Sequence, residues 1–568
     1  MSKPQSPPQE ERETEWSFVG SVKLRPIQPK QLTLMNDSPS ATGQSKFPTF
    51  RWLFSRRTLG RICVVAAALV TLVALVCLEE NWRGKRAWLS YKRQLEARGE
   101  KLDWHDYIMP PVPDDQNFTM TPFLAPMFDF NPSPRQVGQS LWRDTNGYSR
   151  ITALQEDIGK LEDKTADRDQ RRIVQRMTDL PGWAAALVGK ANPAEPAAAR
   201  AMTRPEAAAA VLRGLEKYGP VVEELRTASK RPYARFNIHY DADNAAAILL
   251  PHLAFLKSGA VLFEVRASAE LAQDRTDPAW ADTRMVLYLA DTLNDESFLI
   301  SKLVQTAVVR IGLRPIWEGL AEHKWSDAQL AEIEERLGRV NLLADAAMRG
   351  ERAFGILIVN QLWDHEILDP EDTYNGLPSE LRPFLGGFFY QNELFITRLY
   401  QQYAVPVVDS AHQRVYPSRA VGSDAAIADA IARGFRPYHL LARLLMPATT
   451  EAQTKFAFGQ TRVNEAIVAC ALERYRLAQR QFPESLEPLS PRFLPNMPHD
   501  LITGAPLLYR RTPDGQFILY SVGWNEKDDG GVEVVSHPRS YEAELMEDDW
   551  VWRYPAPAAP PGQNAATQ

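Results

Sequence analysis

The sequence predicts a mainly α-helical protein: a single N-terminal transmembrane helix, a helical body built as a bundle or a tetratricopeptide-like array, and a small C-terminal α+β module of a helix plus a β-hairpin. Three observations predict it. Ile62–Leu78 is a run of seventeen residues without a charge. From about 150 to 480 apolar residues recur at three and four, the helical period. Beyond about 500 the pattern becomes two strand-like runs around a Pro-Asp-Gly turn.

The chain opens with residues 1–61, rich in Pro, Ser, Gln and Thr over their first fifty or so positions. They read as a disordered cytoplasmic tail. Residues 62–78, ICVVAAALVTLVALVCL, show no polar face and read as a membrane helix rather than a buried core helix. No small-x-small cleavage pattern follows before Glu79, which disfavours a signal peptide. Lys46, Arg51, Arg56, Arg57 and Arg61 precede the run without an acid among the last five charges. Arg83, Lys85, Arg86, Lys92 and Arg93 follow it, mixed with Glu79 and Glu80. This bias puts the amino end in the cytoplasm and the body outside, on a bacterial inner membrane. Trp82 and Trp88 fit an interfacial belt. Residues 79–149 read as a juxtamembrane linker and 554–568 as a second disordered tail.

The body is expected over 150–458. Its clearest helix is KWSDAQLAEIEERLGRVNLLADAAMRG: Ser326 and Gln329 make a capping-box pattern. Leu330, Ile333, Leu337, Val340, Ala344 and Ala347 then line one face, and Gly350 is placed as the stop. Asp277 and Pro278 read as the N-cap and first residue of an earlier helix. Four helices are expected between about 241 and 349. Their short connections imply antiparallel neighbours, without the fixed period of roughly 34 residues that tetratricopeptide arrays keep. Further helices are expected at about 424–446 and 459–480. Residues 350–420 read as mixed, and their aromatics Phe384, Phe388, Phe389 and Tyr390 suit core packing or an apolar groove.

Composition narrows function. A formal net charge of -6 argues against a nucleic-acid partner. Cys63, Cys77 and Cys470 make neither a disulfide framework nor a zinc spacing. None of the nine histidines falls in His-Glu-x-x-His, and neither Gly-x-Ser-x-Gly nor a phosphate-binding Gly-Lys loop occurs. His239 lies near Asp241 and Asp243, and His365 near Asp364, Glu366, Asp369, Glu371 and Asp372. Either cluster suits an acid–base or metal site, or a polar loop between helices. Glu351 and Arg352 read as a surface ion pair. The functional expectation is a non-enzymatic, membrane-anchored envelope protein whose body binds other envelope proteins. The alternative is an envelope enzyme with its site near His239 or His365.

The C-terminal module, expected over 459–553, starts with a helix striped by Val463, Ile467, Ala471, Tyr475 and Ala478, closed by Pro483. LLYRR and QFILYSVG then flank Thr512-Pro513-Asp514-Gly515, a hairpin turn. The loop WNEKDDGG follows. Its acids disfavour a phosphate cradle and suit calcium or a solvated acidic turn. A helix, FPESLEPL, a Pro-x-Asp step, LLYRR, LYSVG and an acidic Gly-Gly loop together resemble the carboxyl-terminal part of the major pseudopilin of type II secretion, over about 462–550. The resemblance implies a loop that binds calcium, with Asn525, Asp528 and Asp529 as ligands and Asp548 and Asp549 returning to the same place. The chain departs from that family upstream: Arg61 follows Gly60, and Val65 stands where the family has Glu. Processing as a pilin is therefore not expected. Taken whole, the chain resembles large bacterial single-pass envelope proteins that carry this unit at their end.

Overall fold

A computed structural model describes residues 56–131, 141–166, 175–191, 196–240, 245–343, 346–364, 382–432, 437–446, 448–531 and 545–553. Most of the predicted N-terminal tail, all but the first residue of the His365 cluster's Asp364–Asp372 run, and Asp241 and Asp243 lie outside those residues, as does the tail from 554 on. The chain divides into two units, Met1–Leu69 and Val70–Gln568. The packed core belongs to the second.

The first helix, α1, spans Arg56–Glu96. Large apolar side chains stand bare along its first half, from Leu59 to Leu78, with Val64 at 69% and Val70 at 67% exposure. Exposed except at half-covered Ala74 and Cys77, this stretch is long and apolar enough to cross a membrane. The helix does not stop at Leu78, because the residues that follow are mostly good helix formers without a proline. Its second half changes environment: Trp88 and Leu95 are buried with Ile356 and Leu394.

The expected juxtamembrane linker is folded. Trp104, Phe118, Phe123, Phe128 and Phe130 are buried in the main core. After it come α2 (Thr145–Glu162), α3 (Leu180–Ala191), α4 (Pro196–Arg200), α5 (Arg204–Leu215) and α6 (Gly219–Ala228). The four helices expected between 241 and 349 are present as α7 (His252–Ala272), α8 (Thr276–Asp291), α9 (Leu299–Ala321) and α10 (Asp327–Leu337). The first three pack on one another, α7 on α8 and α9 on both. α7 also passes the length and apolarity test for a membrane span, but Phe255, Leu256, Ala260 and Phe263 are fully buried and make it a core helix.

Local signals behave with two corrections. The capping box is formed: Ser326 Oγ accepts from Gln329 N at 3.3 Å, and Gln329 Oε1 accepts from Ser326 N at 3.1 Å. Asp277 is not the N-cap of α8, which starts one residue earlier at Thr276; Pro278 still sits in the first turn, where its missing N–H costs nothing. Gly350 does not stop a helix either. α10 ends at Leu337, and Gly350 lies inside α11 (Ala346–Asp364), where a Cβ would meet Ser297 O at 2.5 Å. Its glycine serves a close backbone approach rather than a terminus.

The stretch that read as mixed contains α11, α12 (Arg382–Leu399), one π-helical turn at Tyr400–Ala404 and a two-residue ladder, β1 (Val408–Asp409) with β2 (Arg414–Val415). Phe388 and Phe389 pack edge to face on α12, and Trp363 of α11 meets Phe389 at 5.0 Å. Next come α13 (Pro417–Ala432), α14 (Leu440–Leu445) and α15 (Thr449–Gln479). α15 runs without a break through residue 459, where the module was expected to begin. Phe456 and Phe458 join one core cluster, and Val463, Ile467 and Leu472 the other.

The module's two strands are β3 (Leu508–Arg511) and β4 (Phe517–Ser521), antiparallel with Leu508 opposite Tyr520. Gly515 closes the turn at φ +82. A third strand, β5 (Trp550–Trp552), extends the hairpin to a three-stranded antiparallel sheet. It escaped the sequence reading because it is three residues long and wholly buried, so no alternation marks it.

Candidate functional sites

The acidic loop follows β4. Asp528 Oδ1 accepts the Tyr520 hydroxyl at 3.1 Å and the Gly530 N–H at 2.9 Å. Asp549, 5% exposed at the start of the returning segment, accepts Gly531 N–H at 2.7 Å and Asp529 N–H at 3.1 Å. Burial pushes the Asp549 carboxyl above the ordinary range, and Asp529 and Asp528 push the same way. Asn525 holds the loop through its amide: Nδ2 donates to Glu547 O at 2.5 Å and to Asp529 Oδ2 at 3.2 Å, while Oδ1 accepts Lys527 N–H at 2.9 Å. The structure thus brings Asn525, Asp528, Asp529 and Asp549 together, but with an amide donor between two of the oxygens. Calcium takes six to eight converging oxygens; here the Asn525 amide closes the loop through its own hydrogen bonds. Among the described residues no group of three or more His, Cys, Asp or Glu is set to hold a metal ion. Asp500, 1% exposed, pins the module from the other side: it accepts from Ser521 Oγ at 2.9 Å and Ile502 N at 2.8 Å.

His239 lines a cleft of about 580 Å³ together with Phe128, Asp129, Phe130, Arg143, Asp144 and Asn237, among others. Its Nε2 donates to Phe128 O at 3.0 Å, and its ring stacks on Phe130 at 4.5 Å. Arg143 is held by Asn131 Oδ1 at 2.7 Å and Asp129 Oδ1 at 3.3 Å. Half of the lining residues are apolar and half are polar or charged. His365 lies outside the described residues, so the structure does not bear on that cluster.

A third constellation, not foreseen as a site, lies where the chain leaves α1. Glu351 and Arg352 are not a surface ion pair. Arg352 is fully buried, with Nη2 on Glu100 Oε2 at 2.9 Å and Lys101 O at 2.9 Å, and Nη1 on Gln401 Oε1 at 2.5 Å. Arg349 takes the other oxygen of Glu100. Glu351 faces elsewhere and accepts the Leu299 N–H at 3.2 Å, and burial pushes its carboxyl up. Adjacent positions on a helix point about 100° apart, so neighbours in sequence are poorly placed to pair. Burial alone would raise Glu100, but its bonds to Arg349 and Arg352 outweigh that and hold it below the usual range. A spacing-based reading could not have found this cluster, since its members are about 250 and 50 residues apart.

The second half of α1 is seated on α12 by glycines. Gly387 lies so close that a Cβ would come 2.8 Å from Glu80 O, and Gly84 faces Gly387 O at 3.2 Å. Asn81 Oδ1 accepts the Gly387 N–H in a short bond. Comparison with family models, with curated proteins and with solved structures finds no match to this chain.

Proposed function

We propose that the protein is a single-pass inner-membrane protein whose helical body, outside the cytoplasm, is a binding platform for other envelope proteins and performs no catalysis. The observation that carries this reading is α1: an apolar, bare first half continuous with a second half fastened to the body. The C-terminal module is read as pseudopilin-like, supported by a long helix followed by an antiparallel sheet with the acidic loop between β4 and the returning β5. The test is accessibility in intact cells. A single cysteine placed at exposed Leu477 should react with a membrane-impermeant maleimide, and in-cell crosslinking from the body should capture discrete envelope proteins. Protection of that cysteine would reverse the topology, and the absence of any crosslinked protein would remove the platform.

The cleft carries a second reading, an envelope enzyme using His239. It predicts that His239→Ala, folded to the same melting temperature, fails to complement a deletion phenotype. Full complementation would dismiss it.

A further inference from the structure

We propose that α14 and the first turn of α12 form a lipid-facing foot beside α1, resting in the headgroup region of the same bilayer. This rests on the reading of α1 as a membrane span. Leu440 and Leu444 are 52% and 72% exposed, and no other large apolar residue among those described is barer than Leu444. They stand one turn apart on one face of α14, while Leu441 and Ala442 behind them are buried. A lone surface leucine is ordinary; a bare pair on one face is not.

The packing places this pair at the foot of the span. α12 climbs alongside α1 in the same direction: Gly387 meets Glu80 and Asn81, Gln391 meets Gly84, Leu394 packs with Trp88, and Arg398 lies over the Tyr91 ring at 5.3 Å. The start of α12 therefore points back toward Leu78. Phe384, 36% exposed, lies about 4.5 Å further that way by helical rise. α14 is fixed to α12 by Asn392, which accepts the Leu441 N–H at 3.1 Å, and by His439, stacked on Phe395 at 3.8 Å. The phenol of Tyr438, just before α14, lies beside Glu80 and near Cys77.

The occupant follows from what adjoins the patch. With α1 read as a span, Val70–Leu78, exposed except at half-covered Ala74 and Cys77, faces lipid just below this level, so a protein seated on Leu440 and Leu444 would stand close to the edge of the hydrocarbon. The rim has an interfacial composition: Trp82 is 63% exposed under Arg86 at 5.4 Å, and Lys85 and Arg443 are exposed. Aromatic rings and long basic side chains with leucines beneath are the chemistry of a helix lying in a headgroup layer.

The experiment uses the full chain in phosphatidylethanolamine/phosphatidylglycerol nanodiscs, in a Cys63→Ala, Cys77→Ala background. An environment-sensitive fluorophore is attached through Leu444→Cys, Leu72→Cys or Leu477→Cys. Phospholipids spin-labelled at the headgroup or deep in the acyl chain serve as quenchers. The expected result is about twofold or greater quenching at 444 by the shallow label, quenching at 72 by the deep label, and little at 477. Quenching at 72 with equal signals at 444 and 477 overturns the foot and leaves the span standing. No quenching at 72 removes the span and the foot with it.

Discussion

Replacing Arg352 by methionine should loosen the clasp that fastens the end of α1 to the body. The side chain is fully buried and gives three hydrogen bonds, to Glu100, the Lys101 carbonyl and Gln401. Methionine keeps most of the volume and none of the donors. Removing one partner of a buried ion pair costs about 3–5 kcal/mol. Arg349 stays on the other oxygen of Glu100, which keeps the loss near the lower end, about 3 kcal/mol. Glu100→Gln should cost about 1–3 kcal/mol, since the amide still accepts from one guanidinium. In the double variant the buried Arg352 and Glu100 charges are both gone and only Arg349, 29% exposed, loses its carboxylate, so the loss should fall short of the sum by about 1–2 kcal/mol. The assay is urea unfolding of the detergent-solubilised full chain, followed by fluorescence and by hydrogen exchange over residues 80–101. Glu100 sits below its ordinary value, so its contribution is complete above about pH 5 and fades as pH falls through the lowered folded value. The Arg352→Met deficit should therefore be flat from pH 6 to 8 and shrink in acid. Strict additivity, or a single-variant loss under about 0.5 kcal/mol, would refute the argument that this cluster holds α1.

Three further outcomes follow from the same packing. Gly387→Ala puts a methyl against the backbone of Glu80, which cannot swing aside, so it should cost about 1–3 kcal/mol; an unchanged melting temperature would show that α1 and α12 are not in contact. Glu393, buried on α12, is pushed by burial up to about 8, against Lys92. A raised carboxyl lowers stability as pH rises from the unfolded value toward the folded one, so Glu393→Gln should gain about 2–4 kcal/mol over wild type at pH 8 and nothing near pH 4. A pH-independent difference would contradict this. The acidic loop is closed by its own amide and carboxylates, so thermal unfolding should be the same in millimolar calcium and in chelator. A calcium-dependent rise that disappears in Asp528→Ala plus Asp529→Ala would instead make Asn525, Asp528 and Asp529 ligands.

The parts of the fold legible in the sequence are those governed by local chemistry. Val/Ala/Leu side chains without a charge mark α1, Ser326 and Gln329 mark the start of α10, and Pro513-Asp514-Gly515 marks the β3–β4 turn. What escaped depends on partners far along the chain. Gly350 carries the same letter as a helix stop, and only the nearness of Ser297 makes it a packing glycine. Arg352 looked like a surface charge because nothing nearby in sequence announces Glu100. Asn525, Asp528 and Asp529 lie together because they share one loop. Which atoms they turn inward is set by Glu547 and Asp549, about twenty residues on. Phe384, Leu440 and Leu444 carried no signal separable from ordinary core residues, because exposure is a property of the assembled helices.

The glycine contact between α1 and α12 begins two residues past the last apolar residue of the run. No spacer of turn or coil separates Leu78 from Gly84. A body hung on a flexible tether sweeps a volume set by linker length and meets partners at many heights and angles. On the proposal that α1 spans a bilayer, this body has no slack at the membrane surface. A partner anchored in the same membrane meets the same face at the same height every time, so the search between them is reduced to sliding and turning within a plane. A partner free in solution gains no such help.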